Sequence, residues 1–125
     1  MPKRKVMIVD DDGAFVDIIK DNMEETGKYE VLAMTNAKEI VKDVHNFKPD
    51  LILLDLLMPG VGGLDACQML NEDEIGRKVP IIILSALDKD ADKLKAFKLG
   101  VVDYAEKPID QDELFVKIER ALEFK

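Results

Sequence analysis

Two unbroken apolar runs, Val6-Met7-Ile8-Val9 and Leu51-Ile52-Leu53-Leu54, each stop on acid, the first at Asp10-Asp11-Asp12 and the second at Asp55. A short run that is apolar on both alternating sides is the pattern of a strand buried between two layers, as in a parallel sheet. Ile81-Ile82-Ile83-Leu84 repeats the pattern and ends in Ser85, and the shorter Val101-Val102-Asp103-Tyr104-Ala105 leads to Lys107-Pro108. Between these runs the period changes from strand-like to helical. Ala14, Phe15, Ile18, Ile19 and Met23 predict a first helix, stopped by Gly27, and Tyr29 to Met34 a second strand. Asn36 with Glu39 has the spacing of a capping box, followed by the stripe Ala37, Ile40, Val41, Val44 and Phe47, and Pro49 ends that helix.

Beyond Asp55, the segment Met58-Pro59-Gly60-Val61-Gly62-Gly63 is a loop of turn-forming residues, and Leu64 to Asn71 form a third helix. Glu72 to Lys78 read as polar connection. Asp88 to Leu99 predict a fourth helix with Leu94, Phe97 and Leu99 inward, stopped by Gly100. Asp110, with Glu113 three residues on, caps a fifth whose stripe is Leu114, Phe115, Ile118 and Leu122. Five strands alternating with five helices, joined by right-handed crossovers, predict an α/β doubly wound parallel sheet, for which 2-1-3-4-5 is one of the two common strand orders. Residues 1–125 read as one domain with one core, since 47% of them are hydrophobic and the length leaves no room for a second.

The acids, the hydroxyl and the amine all leave strands in one direction, at the edge where such sheets bind ligands. Two carboxylates about 4 Å apart repel by about 4 kcal/mol at an effective dielectric near 20, so Asp10, Asp11 and Asp55 together need more counter-charge than Lys107 supplies. A divalent cation meets that need, and an all-oxygen site favours Mg²⁺ or Mn²⁺ over Zn²⁺. With a metal to screen the acids, the site suits phosphoryl transfer, with Asp55 as the nucleophile.

The formal charge of -8 excludes nucleic-acid binding through a broad basic footprint, and Lys3-Arg4-Lys5 is too short to alter that. No apolar segment is long enough for a membrane span and no signal-peptide pattern opens the chain, so a cytoplasmic protein is expected. Cys67, the sole cysteine, falls on an apolar helix face and reads as packing, as do the six methionines; His45 carries no catalytic pattern.

The run Val9-Asp10-Asp11-Asp12, the segment Asp55-Leu56-Leu57-Met58-Pro59-Gly60 with Gly63, the pair Ser85-Ala86, and Asp103-Tyr104 with Lys107-Pro108 resemble the receiver domain of two-component response regulators, the CheY-like family with a flavodoxin-like fold. The resemblance covers essentially the whole chain, in order. It implies that Asp55 is the phosphoacceptor, charged by a sensor histidine kinase or phosphotransfer protein. Asp11, Asp55 and the backbone carbonyl of Leu57 would ligate Mg²⁺, Asp10 acting mainly through a water, while Asp12 falls at a variable position. Ser85 and Lys107 would each bind a phosphoryl oxygen. Ser85 and Tyr104 would form the switch, and the Lys107-Pro108 bond would be cis. Output would pass through the fourth helix, fifth strand and fifth helix, including Lys89 to Lys98, to a downstream effector protein or to an output domain beyond this chain. A phosphorylation-dependent dimer is left open.

Ser85 stands where this family more often has Thr, which keeps the hydroxyl but loses the stiffness of a branched side chain. Leu57 and Leu87 are apolar at positions that influence water access in this family, and by that resemblance slow self-dephosphorylation is expected. The competing reading is an enzyme. Asp10 and Asp12 have the Asp-x-Asp spacing of a phosphatase with an aspartyl intermediate, but the chain has no segment for the usual cap. A flavodoxin-type phosphate loop would not be acidic, and no nucleotide-binding Gly-x-x-x-x-Gly-Lys-Ser/Thr loop is present.

Overall fold

The computed structural model describes residues 2–86 and 90–123. Five parallel strands, β1 (Arg4–Val9), β2 (Tyr29–Met34), β3 (Leu51–Asp55), β4 (Ile81–Ser85) and β5 (Asp103–Glu106), lie in the order β2-β1-β3-β4-β5. Between and after them run α1 (Gly13–Glu25), α2 (Ile40–Phe47), α3 (Gly63–Asn71), α4 (Asp90–Lys98) and α5 (Gln111–Glu123). This is the expected doubly wound order, with the chain reversing direction across the sheet between β1 and β3.

Strand alternation builds two cores from the same apolar runs. Val6, Ile8, Leu51, Leu53, Ile82 and Leu84 face α1 and α5, where they meet Val16, Ile19, Met23, Leu114, Ile118 and Leu122. Met7, Val9, Ile52, Leu54, Ile81 and Ile83 face the opposite layer, against Ile40, Val44, Ala66, Cys67, Leu70 and Ala96. Each large aliphatic side chain so buried contributes about 1.5–3 kcal/mol. Cys67 is one of these packing residues, and burial pushes its thiol up to about 12.

Three sequence expectations need correction. The buried face of α1 is Val16, Ile19 and Met23, while Ala14 and Ile18 are exposed. The run Phe15-Val16 followed by Ile18-Ile19 supports either of two helical phases, and only docking on the sheet selects one. The capping box at Asn36 and Glu39 does not form. Asn36 Oδ1 accepts from the Lys38 amide at 3.1 Å, closing a local turn, and α2 begins only at Ile40 with no side-chain cap. In α4, Leu94 and Phe97 are 56% and 44% exposed rather than inward, and among the described side chains of that helix the buried one is Ala96, beside a partly buried Leu99. The predicted start of that helix at Asp88, together with Leu87 and Lys89, lies outside the described residues.

The connection expected to be merely polar has structure as well. Asp73 accepts from the amides of Gly76 at 2.7 Å and Ile75 at 3.1 Å, setting a 3₁₀ turn over Gly76–Lys78, and receives His45 Nε2 of α2 at 2.8 Å. His45 thus ties α2 to this turn, a contact that the sequence pattern did not indicate.

One close approach fixes the loop after β3. A Cβ on Gly63 would lie 2.4 Å from the Asp55 carbonyl oxygen and 2.5 Å from Leu56 Cα, so the first turn of α3 rests directly on the backbone that carries Asp55. A Gly63→Ala substitution is expected to lower stability by about 1–3 kcal/mol, because backbone rather than a side-chain tip must move. Urea denaturation monitored by circular dichroism checks this, and an unchanged midpoint would refute the close contact.

Candidate functional site

Buried polar or charged residues among those described are Asp10, Asp55 and Ser85, and all three stand at the carboxyl edge of the sheet. Asp10 directly follows β1, its amide donating to the Met34 carbonyl at 3.1 Å and so extending the pairing with β2. Its Oδ1 accepts from the Asp12 amide at 3.0 Å, which folds the chain into the turn before α1. Asp12 then caps that helix, Oδ1 accepting from the Phe15 amide at 3.2 Å. Asp11 lies between them, exposed.

Asp55 ends β3, and its Oδ1 accepts from the Leu57 amide at 3.3 Å. Asp10, Asp11 and Asp55 each place a carboxylate oxygen within 4.8 Å of the other two. Lys107 closes the group from the chain that leaves β5. Its ammonium lies 2.7 Å from Asp10 Oδ2 and 3.6 Å from Asp55 Oδ2, and 5.5 Å above the Phe15 ring. Its amide donates to the Ser85 carbonyl at 2.8 Å, which ties the lysine to the end of β4, and the Lys107-Pro108 bond is cis.

The charges in this cluster act on one another. Burial, then the neighbouring Asp10 charge, push the Asp55 carboxyl up to about 6, against the opposing pull of Lys107 and the Leu57 amide. Burial disfavours the Lys107 ammonium too, but its contacts with Asp10 and Asp55 outweigh that cost and hold its pKa above the ordinary lysine value. Asp10 Oδ2 is fully buried and makes no well-aligned hydrogen bond, although the ammonium is in contact with it. Three carboxylates against one ammonium leave two negative charges uncompensated. An all-oxygen donor set of this kind fits a hard divalent cation such as Mg²⁺.

The structure therefore brings Asp10, Asp11, Asp55 and Lys107 into one cluster, with Leu57 attached through its amide and Ser85 buried on the adjacent strand end. Tyr104 belongs to a separate contact group. Its ring meets Phe97 edge-on, with centroids 6.2 Å apart, and sits under the Lys117 ammonium. Asp12 is spent on the helix cap, so the carboxylates that gather are not an Asp-x-Asp pair. Sequence reasoning missed Phe15 as a partner of Lys107. It read Phe15 only as part of an apolar stripe, and nothing local marks a contact made across the fold.

With Asp55 ionised in this setting, folding is disfavoured. The folded protein holds the Asp55 proton more tightly than the unfolded chain does, so stability from this group is lost as pH rises from the ordinary value of 3.8 through about 6. In chelator-treated protein, Asp55→Asn should match wild type near pH 4 and exceed it by about 1–3 kcal/mol at pH 7 in urea titrations. Equal stabilities at pH 7 would refute the electrostatic reading.

The model of the response regulator receiver domain matches residues 6–119. The transcriptional regulatory protein YvrH of Bacillus subtilis is 39% identical over 118 residues, which cover 94% of this chain and 48% of that protein. The DNA-binding dual master transcriptional regulator RpaA of Synechocystis is 36% identical over 118 residues, with the same shares of 94% and 48%. The chain thus spans about half the length of the curated relatives it matches. Among solved structures, the receiver domain of Francisella response regulator 1452 superposes with a TM-score of 0.86 at 31% identity, covering 97% of this chain and 98% of that one. The chemotaxis protein CheY4 of Vibrio cholerae superposes at 0.90 with 21% identity over 97% of this chain and 100% of that one, a likeness of fold alone.

Proposed function

The chain belongs to the response regulator receiver domain family, and from that premise we propose that it accepts a phosphoryl group on Asp55 and uses it to switch a binding surface. The observation that carries this reading is the pairing of a buried, strand-end Asp55 with the Lys107 ammonium 3.6 Å away, beside two further carboxylates. An Asp55 oxygen attacks phosphorus, the phosphorus–nitrogen bond of a phosphohistidine donor breaks, and the departing imidazole keeps the electron pair. A sensor histidine kinase or phosphotransfer protein supplies that donor. Asp11, Asp55 and the Leu57 backbone carbonyl would hold Mg²⁺, with Asp10 acting through a water; the cation would offset the charge of the acids and of the phosphoryl oxygens.

Lys107 already spans Asp10 and Asp55, so it needs little movement to donate to a phosphoryl oxygen, and the Ser85 hydroxyl donates to another. Ser85 reorients toward the phosphoryl group, and Tyr104 follows. The result is read on the surface of α4, β5 and α5, where Leu94, Phe97 and Val116 stand exposed. The output is a downstream effector protein or an output domain, as suits a chain that matches half of each transcriptional regulator. Among the described residues no helix is long and apolar enough to cross a membrane.

Incubation with Mg²⁺ and acetyl phosphate should add one phosphoryl group by intact mass to wild type and none to Asp55→Asn. Omission of Mg²⁺ should remove the adduct, and an adduct persisting on Asp55→Asn would overturn the assignment. Leu57 is 53% exposed beside the acceptor and cannot orient an attacking water. Leu57→Asn should therefore shorten the lifetime of the phosphorylated protein several-fold, measured by loss of the adduct after the donor is removed; an unchanged lifetime would sink this role.

A further inference from the structure

Tyr104 is tied to α5 by one ammonium that makes three contacts. Lys117 Nζ donates to the Tyr104 carbonyl at 2.7 Å and to Asp103 Oδ1 at 3.3 Å, and lies 5.3 Å from the centroid of the Tyr104 ring. The same Asp103 oxygen accepts from the Tyr104 amide at 2.8 Å. Both backbone groups of Tyr104 are thus engaged by side chains rather than only by a neighbouring strand, as suits a residue on an edge strand. An ammonium has three donors and no acceptor, so its position is set by the two oxygens and leaves one face for the ring. The side chain of Lys117 is only 18% exposed, which limits the water that could replace these contacts.

The clamp also borders the phosphoryl chemistry. A cavity of about 420 Å³ is lined by Tyr104, Lys107, Glu113 and Lys117, so the residue that spans Asp10 and Asp55 and the residue that holds the aromatic both border one hollow. A Tyr104 ring that turns must leave the Lys117 ammonium and Phe97 together, and forfeits both attractions unless they follow it.

We propose that Lys117, held by Asp103, is a positioning residue of the switch, whose grip on the Tyr104 carbonyl and ring sets how readily that aromatic reorients. The inference rests on the reading of Tyr104 as the switch residue. Lys117 is distant from the transferring atoms in role, acting through Tyr104 alone, so its removal alters the conformational equilibrium rather than the acceptor.

The chain has two tyrosines and no tryptophan, so protein labelled with 3-fluorotyrosine gives two fluorine resonances. Buried Tyr29, in the first core, reports whether each variant remains folded. Titration with beryllofluoride in excess Mg²⁺ should move the Tyr104 signal in wild type. In Lys117→Met the half-saturating concentration should change about two- to fivefold, the effect of losing one partly exposed ammonium–ring contact. Asp103→Ala should shift it in the same direction, and Lys117→Arg should restore the wild-type value. Lys117→Met and Asp103→Ala change the local charge in opposite senses, so opposite shifts would indicate a simple field effect and overturn the clamp. An unchanged half-saturation in Lys117→Met with a responsive Tyr104 would overturn it too. A wild-type Tyr104 signal that ignores beryllofluoride would instead overturn the switch reading on which the proposal stands.

Discussion

Carboxylates crowded at the end of an apolar sheet must share a cation, and that constraint organises the working edge of this protein. Asp10 and Asp55 are buried because they stand at the ends of β1 and β3, where residues 6–9 and 51–54 are wholly enclosed. The Lys107 ammonium reaches both, yet it cannot neutralise three acids, and burial together with the Asp10 charge pushes the Asp55 carboxyl up to about 6. The site is thereby poised for whatever brings further positive charge, since that relieves a repulsion that folding has already imposed.

The remaining local structure serves to hold those few atoms. Asp10 folds the turn that starts α1, Asp12 caps the helix, and the Leu57 amide anchors Asp55. Gly63 lets α3 press against the Asp55 carbonyl, and Phe15 supports the lysine from the first core. Each contact is modest in energy, but together they leave Asp55 little freedom to drift from the ammonium. Preorganisation of this kind is what phosphoryl transfer asks of a protein, because its chemistry is mostly placement of charge.

On the far side of β5 the balance is different. The carboxylates are locked in by burial, whereas Tyr104 sits partly exposed between Phe97, which is itself open to solvent, and Lys117. Under the proposed function these are complementary requirements: a switch needs one end fixed for chemistry and the other held by contacts that can be exchanged. Exposure of Leu94 and Phe97 on α4 fits that division, leaving apolar surface for a partner where sequence periodicity alone would have buried it.

What the amino-acid sequence determined by itself was the architecture and which polar groups gather at its edge. Unbroken apolar runs can satisfy both faces only inside a layered parallel sheet, and charged residues ending those runs have nowhere to go but its edge. Asp10, Asp55, Ser85 and Lys107 were legible for that reason, as was the cap of α5, where the Asp110 carboxylate accepts from the Glu113 amide at 3.2 Å. Tertiary structure decided the rest. It chose Val16 over Ile18 as the inner face of α1, turned Leu94 and Phe97 outward, replaced the expected capping box with an Asn36 turn, and joined Phe15 to Lys107 and Lys117 to Tyr104. Periodicity says that a helix has an apolar face, but neighbouring apolar positions leave its rotation open by about 100° per residue. Only the elements packed against it, brought together from distant parts of the chain, settle which side chains meet.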